Sequence, residues 1–244
     1  MAEMQPQEYQ RMFHHEGDYW WFVARRRLAQ ALLQAYLPEV SGRILDAGCG
    51  TGALLSELQA SGFAVGVDVS LEALCLTRQR GAFPSVQARL EALPFASETF
   101  QVAFALDVLE HLPDERPALR ELYRVLQAGG YLIVSVPAYS WLWSKHDVAL
   151  AHYRRYTARM LRTHLCKAGF QVRMLSPSVG LLLPIIALAR WLDRLRPGAP
   201  AATVVPLPRW LNRALIRLQD CETRWLLRHR LPFGVSLVAV AQRA

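Results

Sequence analysis

The sequence predicts an α/β protein, a parallel sheet with helices on both faces, broken near its end by a helical insert. Three observations predict it. Short apolar runs bounded by turn residues alternate with stretches of helical periodicity between residues 43 and 176. A glycine-rich run, Gly48-Cys49-Gly50-Thr51-Gly52, joins the first strand-like run to the helix after it. The run Val-Ser-Leu-Val-Ala-Val-Ala at 235–241 then returns to strand character after a long arginine-rich stretch.

In chain order, residues 19–37 repeat Leu28, Ala31, Leu32, Ala35 and Tyr36 at helical spacing and stop at Pro38, an opening helix. Residues 43–47 read as a buried strand, 53–60 as a helix, 64–69 as a second strand and 71–80 as a second core helix. Short strands follow at 85–88 and 100–106. A helix is expected from Pro113 to about Gln127, closed by Gly129-Gly130, and 131–136 is strongly apolar strand. Thr157 reads as the N-cap of a helix ending near Gly169, before a strand at 170–176. The insert reads as two helices, 179–195 and 208–228, joined by the Pro/Gly/Ala-rich 196–206. The expected division is a lid region (1–40), a Rossmann-like core (41–176), the helical insert facing acceptor or membrane (177–232) and a last core strand (233–244).

With 52% apolar and 20% charged residues, the chain has the composition of a folded globular protein rather than a disordered one. Its net charge of +8 points to an anionic partner: nucleic acid, an acidic membrane surface or a phosphorylated substrate. Most of that charge lies in the insert, whose nine arginines face only Asp193, Asp220 and Glu222. Arg209, Arg213, Arg217, Arg224 and Arg228 recur on one side of its second helix. Four scattered cysteines, with no CxxC pair, read as reduced thiols in the cytoplasm. The longest apolar stretch, 179–189, contains Pro184 and falls short of the roughly 20 residues a membrane span requires, leaving a surface-lying element as the membrane reading.

A glycine turn between a strand and a helix N-terminus lets a ligand approach the backbone, and its free N–H groups favour carboxylate or phosphate. Here an acid, Asp46, closes the strand; it would repel a pyrophosphate but could receive an ammonium. Asp68, ending the second strand, is placed to accept hydrogen bonds from two ribose hydroxyls, and N-capping of the next helix is open to it and to Ser70.

These stretches, Ile44-Leu-Asp-Ala-Gly-Cys-Gly-Thr-Gly52, Gly66-Val-Asp-Val-Ser70, Leu93-Pro-Phe95, Asp107-Val-Leu-Glu-His-Leu-Pro113 and Leu126-Gln-Ala-Gly-Gly130, resemble in order and spacing the class I S-adenosylmethionine (SAM) dependent methyltransferases, notably their small-molecule, type 11-like branch. The resemblance implies SAM as cofactor and a seven-stranded sheet with an antiparallel last strand. It implies that Gly48, Gly50 and Gly52 approach the methionine part beside Asp46, that Asp68 holds the ribose, and that Cys49 and Val69 are also cofactor-binding. Leu106 and Asp107 would line the pocket near the sulfonium. Where the family often carries an acid for adenine this chain has Arg89, so Leu90 and Glu91 are the expected adenine contacts.

On the acceptor side, His152-Tyr153-Arg154-Arg155-Tyr156 clusters aromatic and basic groups beyond the fifth strand, and Trp21 belongs to an adjacent-tryptophan pair that cannot both face one core. Arg154 or Arg155 would hold an anion, with Tyr153, Tyr156 and Trp21 also toward the acceptor. A hydroxyl acceptor needs a base, for which His111 and His152 are the candidates; a carboxylate acceptor needs none. No metal-ligand spacing stands out and no metal is expected. The expected activity is methyl transfer to a lipid-linked or membrane-associated small acceptor, with the protein peripheral on the inner face of a membrane. A soluble acceptor with the insert as pocket lid is the alternative. A non-catalytic SAM-binding or RNA-binding module is a third reading, disfavoured by the intact Asp46–Gly52 run and the absence of a nucleic-acid-binding pattern.

Overall fold

A computed structural model describes residues 6–195 and 205–244. Its strands are β1 (Arg43–Ala47), β2 (Ala64–Asp68), β3 (Ser85–Gln87), β4 (Phe100–Leu106), β5 (Leu126–Pro137), β6 (Phe170–Ser178) and β7 (Ser236–Arg243). They form one sheet in the order β3-β2-β1-β4-β5-β7-β6. The first five are parallel, and β7 runs antiparallel between β5 and β6. The helices are α1 (Pro6–His15), α2 (Trp20–Tyr36), α3 (Ala53–Leu58), α4 (Leu71–Arg80), α5 (Arg116–Val125), α6 (Lys145–Ala149), α7 (Ala158–Lys167), α8 (Leu183–Leu195) and α9 (Arg209–Leu226).

The central strands are buried on both faces, which is why they read as continuous apolar runs. Alternate residues point to opposite cores. Leu45, Val67, Ala103 and Val134 pack with Leu119 and Leu122 of α5 on one side. Ile44, Val102, Phe104 and Ile133 pack with Leu28 and Leu32 of α2 and Leu55 and Leu58 of α3 on the other. Strand order reverses between β1 and β4, and ligands of open α/β sheets bind in the crevice such a reversal opens at the carboxyl ends.

Three sequence expectations are corrected. The helix expected over 113–127 starts only at Arg116, preceded by a 3₁₀ turn at Leu109–His111, and ends at Val125. Gly129 and Gly130 therefore do not close a helix; they lie in a bulged opening of β5, where Leu126 already pairs with Phe100. A Cβ on Gly130 would stand 2.8 Å from the Gln101 carbonyl oxygen. The first insert helix starts at Leu183 rather than Val179, because Val179 has a left-handed φ of +59°; the N–H groups of Val179, Gly180 and Leu181 are held by the Glu222 carboxylate of α9. Helices α1 and α6 were not foreseen.

The expected link at 196–206 lies mostly outside the described residues. The insert does not stand apart from the core. Asn212 of α9 accepts the Trp20 N–H and donates to the Asp18 carbonyl, both at 2.8 Å, and Arg27 of α2 pairs with Asp220 at 2.6 Å.

Candidate active site at the carboxyl ends of the strands

The β1–α3 turn needs its glycines. Gly48, Gly50 and Gly52 have φ of +79°, +54° and +83°, in the left-handed region that side chains disfavour. At Gly48 space forbids a side chain as well, since a Cβ would meet Val108 at 2.6 Å, whereas one on Gly50 would meet only the Met12 methyl at 2.8 Å, the mobile end of its side chain. α1, unseen in the sequence, thus lies over the glycine turn.

Asp68 sits at the end of β2 with one carboxylate oxygen accepting the Gly50 N–H and the other the Ser70 N–H, each at 2.9 Å. These contacts, with a further one from the Val69 N–H, aim the carboxylate and leave it capacity to accept from a ligand hydroxyl. Ser70, not Asp68, caps α4 through the Ala73 N–H. Burial raises the Asp68 pKa against these hydrogen bonds.

Asp46 is buried beneath the turn with one carboxylate oxygen unpartnered. Burial first, then the charges of Asp68 and Glu16, push its pKa up to about 8. Glu16, which follows α1, accepts from Arg80 at 2.8 Å and from the Thr51 hydroxyl; burial, against the charges of Arg80 and Arg26, raises it to about 7. Three carboxylates under one glycine turn, one with an orphaned oxygen, fit a ligand carrying an ammonium. Cys49 is buried in the turn, its thiol pushed up by burial and by Asp46 and Asp68.

Of the other expected cofactor contacts, Leu90 is buried, Glu91 is held by Arg89 at 2.8 Å, and Val69 is half-buried with its carbonyl receiving Gln87. Leu106 ends β4 and Asp107 follows it with a positive φ of +53°. Sequence reasoning missed its partner. Arg25 of α2 reaches across the sheet end to the Asp107 carboxylate, the Ser135 hydroxyl and, at 3.1 Å, the Ser236 hydroxyl, and lies 4.9 Å over the Trp21 ring. The only signal was its place in an Arg-Arg-Arg run, which reads as solvated. Trp20 is buried and Trp21 half-buried, the split expected for adjacent tryptophans.

His111 and His152 meet edge-to-face, their ring centroids 4.7 Å apart. Burial, then His152, drive the His111 pKa down to about 3. The Tyr153 N–H donates to the Glu110 carbonyl at 2.8 Å, tying the two segments together. Glu110 is buried with both carboxylate oxygens unpartnered.

The rest of the expected acceptor cluster is committed inward. Arg155 is buried, giving two hydrogen bonds to Asp147 at 2.8 and 3.1 Å and one to the Ala138 carbonyl. Asp147 also accepts from Ser144 N–H and pairs with His152 Nδ1 at 3.0 Å. Burial raises its pKa, but the hydrogen bonds and charges of His152 and Arg155 outweigh that and hold it well below the usual carboxylate range. Arg154 is spent on Glu115 and the Leu112 and Pro113 carbonyls. Tyr156 is fully buried in the main core, its backbone bridged to β5. Arg155 and Tyr156 are thus buried, and Arg154 is half-buried and paired with Glu115, so the structure does not gather these three on an open acceptor face. Tyr153, exposed, and Trp21 remain.

A doubly wound sheet with an acid-flanked glycine turn at its switch point is the architecture of nucleotide-binding α/β proteins. A family profile described as a methyltransferase domain matches residues 45–134. A demethylmenaquinone methyltransferase of Lactiplantibacillus plantarum is 31% identical over 179 residues, 58% of this chain and 75% of that protein. A malonyl-[acyl-carrier protein] O-methyltransferase of Enterobacter lignolyticus is 36% identical over 110 residues, 44% of each chain. A solved SAM-dependent methyltransferase of Thermotoga maritima shares the fold with TM-score 0.61 at 21% identity, over 98% of this chain and 95% of that one. The chain belongs to the class I SAM-dependent methyltransferases, in their type 11 branch. It is an enzyme, and its cofactor is SAM.

Proposed function

We propose that the enzyme methylates a lipid-linked or otherwise membrane-associated small acceptor, and that its insert holds it to an anionic membrane surface. One observation carries this reading: α8 exposes an apolar face. Leu183, Ile186 and Ala187 pack toward the core, while Arg190 donates to the Ser144 hydroxyl at 2.9 Å and Arg194 to the Trp143 carbonyl at 2.8 Å. Ile185, Leu188, Leu192 and Leu195, spaced at one helical face, are exposed, as are Trp191 and, just before the helix, Leu181. In α9, Arg209, Arg213, Arg217 and Arg224 are exposed, as is Arg228 just past its end, with Trp210 and Trp225 exposed beside them. An apolar face accompanied by arginine and interfacial tryptophan complements a negatively charged lipid surface. Among the described residues no helix is long and apolar enough to cross a membrane. The relative named for demethylmenaquinone is consistent with a quinone-like headgroup as acceptor.

Within this reading the insert (177–232) is the surface-binding element, 1–40 the lid, and 41–176 with 233–244 the core. The measurement is co-sedimentation with anionic and neutral vesicles. The parent is expected to bind anionic vesicles at low salt and release at high salt, each basic residue adding about 1 kcal/mol near the surface. Changing Arg209, Arg213 and Arg217 to Gln should abolish sedimentation. A parent that ignores anionic vesicles overturns the reading. If it then forms a dimer, a second copy covers α8; if it stays a monomer, α9 packed on α2 is the lid over a soluble acceptor.

When bound, SAM supplies a methyl group already activated on a sulfonium, so the chain's work is alignment and exclusion of water. We assign the ribose to Asp68 with Val69, the amino-acid part to Asp46 and the Gly48–Gly52 turn, the adenine to Leu90 and Glu91, and the sulfonium side to Leu106 and Asp107. Trp21 and Tyr153 would border the acceptor, with His111 or His152 taking a proton from a hydroxyl. The Asp46 assignment has a pH signature. A carboxyl titrating near 8 is protonated at pH 7, and an ammonium placed against it favours the ionised form. SAM binding at pH 7 should therefore release close to one proton and tighten as pH rises toward 8. Calorimetry in buffers of different ionisation enthalpy reads the proton count; Asp46→Asn should bring it to zero, and an unchanged count would exclude the contact.

A further inference from the structure

The sequence reading expects no metal because no ligand spacing stands out, yet the fold brings Glu110 and His111 against His152 from a distant segment. Each contributes a ligand-type atom, and the three lie within 4.8 Å of one another. We propose that Glu110, His111 and His152 form a binding site for a divalent first-row transition metal ion at the acceptor side of the pocket.

Four features of the cluster support it. Both Glu110 carboxylate oxygens are buried without a partner, an arrangement that costs free energy unless a cation meets them. His152 is aimed through its other nitrogen, since Nδ1 lies 3.0 Å from Asp147 Oδ1 and leaves Nε2 to the cluster. That is the carboxylate–histidine arrangement by which metal-binding imidazoles are oriented. Asp147 is itself fixed by Arg155 and the Ser144 N–H, so the orienting group is rigid. The Leu150 backbone hydrogen-bonds the His111 ring, which likewise leaves one of its nitrogens available.

Two imidazoles with one carboxylate suit Zn²⁺, Fe²⁺, Mn²⁺ or Co²⁺ rather than Mg²⁺ or Ca²⁺, which prefer all-oxygen shells. Three protein ligands leave positions open, and an acceptor oxygen is the natural occupant beside Asp107. Only that last role rests on the reading of the site as the place of methyl transfer; the metal binding itself does not.

The test uses the full chain, stripped with chelator and titrated with Co²⁺. One equivalent per chain is expected, giving visible d–d bands and no thiolate charge-transfer band in the near ultraviolet. Glu110→Gln and His152→Ala should each weaken Co²⁺ binding by at least about 100-fold, the upper end of the loss when only an outer-shell partner is removed. SAM affinity measured alongside should be unchanged. If either variant fails to fold, hyperfine-shifted imidazole N–H resonances from His111 and His152 in the Co²⁺-loaded parent decide the matter. Uptake by the parent no greater than by Glu110→Gln, absence of shifted imidazole signals, or a thiolate spectrum from the exposed Cys75, Cys166 or Cys221 would overturn the proposal. None of these readouts needs turnover, so a failed methylation assay is distinguishable from a failed metal site.

Discussion

Asp147→Ala is expected to destabilise the fold by about 3–5 kcal/mol, the usual result of removing one partner from a buried ion pair. Asp147 is fully buried and meets Arg155 through both oxygens, so truncation strands a buried guanidinium with only the Ala138 carbonyl. The same change frees the Ser144 N–H and lets His152 turn, loosening the loop between β5 and α7. Urea denaturation of parent and variant measures the effect. Replacing both partners, Asp147→Leu with Arg155→Met, should recover a substantial part of the loss, because the cost comes from an unpaired charge more than from the missing contact. A loss below 1 kcal/mol in the single variant would mean that water reaches Arg155.

Asp68→Ala should weaken SAM binding by roughly 1.5–3 kcal/mol, or about 10- to 150-fold in Kd, the range for losing charged hydrogen bonds to two hydroxyls. The variant also removes the acceptor for the Gly50 and Ser70 N–H groups, so the turn itself should relax. Asp68→Asn separates the two effects. Its one carbonyl oxygen cannot serve both backbone donors and both hydroxyls, yet its size preserves the packing. Calorimetric titration with SAM should rank parent, Asn and Ala in that order of affinity; equal affinity for parent and Ala would remove the ribose from Asp68.

The sequence made the cofactor half of the site legible because its chemistry is local. Gly48, Gly50 and Gly52 are required by backbone angles within one turn, and Asp46 and Asp68 end the two strands that flank it. The acceptor half is assembled from afar. Arg25 meets Asp107, Ser135 and Ser236 across the sheet, and His111 meets His152 where the Tyr153 N–H docks on the Glu110 carbonyl. No periodicity records such contacts. Composition even misled, since Arg154 and Arg155 read as a basic patch while the fold turns both toward internal carboxylates. The helix misplaced over 113–127 failed for a related reason: Gly129-Gly130 punctuates a helix and a bulged strand equally well, and only pairing with Phe100 chooses between them.

The position of β7 bears on how the chain is made. β5 and β6 do not touch each other in the sheet; β7 lies between them, paired to both along nearly its whole length. On a ribosome, everything through α9 emerges before the strand that fills this slot. Until then the nascent sheet holds two unpaired edges about one strand width apart, some 10 Å, each a template for the wrong partner. Closing the slot joins segments far apart in sequence, a step paid in loop entropy before any ladder forms. The strand that covers both edges thus follows every other strand of the sheet in the chain, so the glycine turn can form well before the sheet is closed.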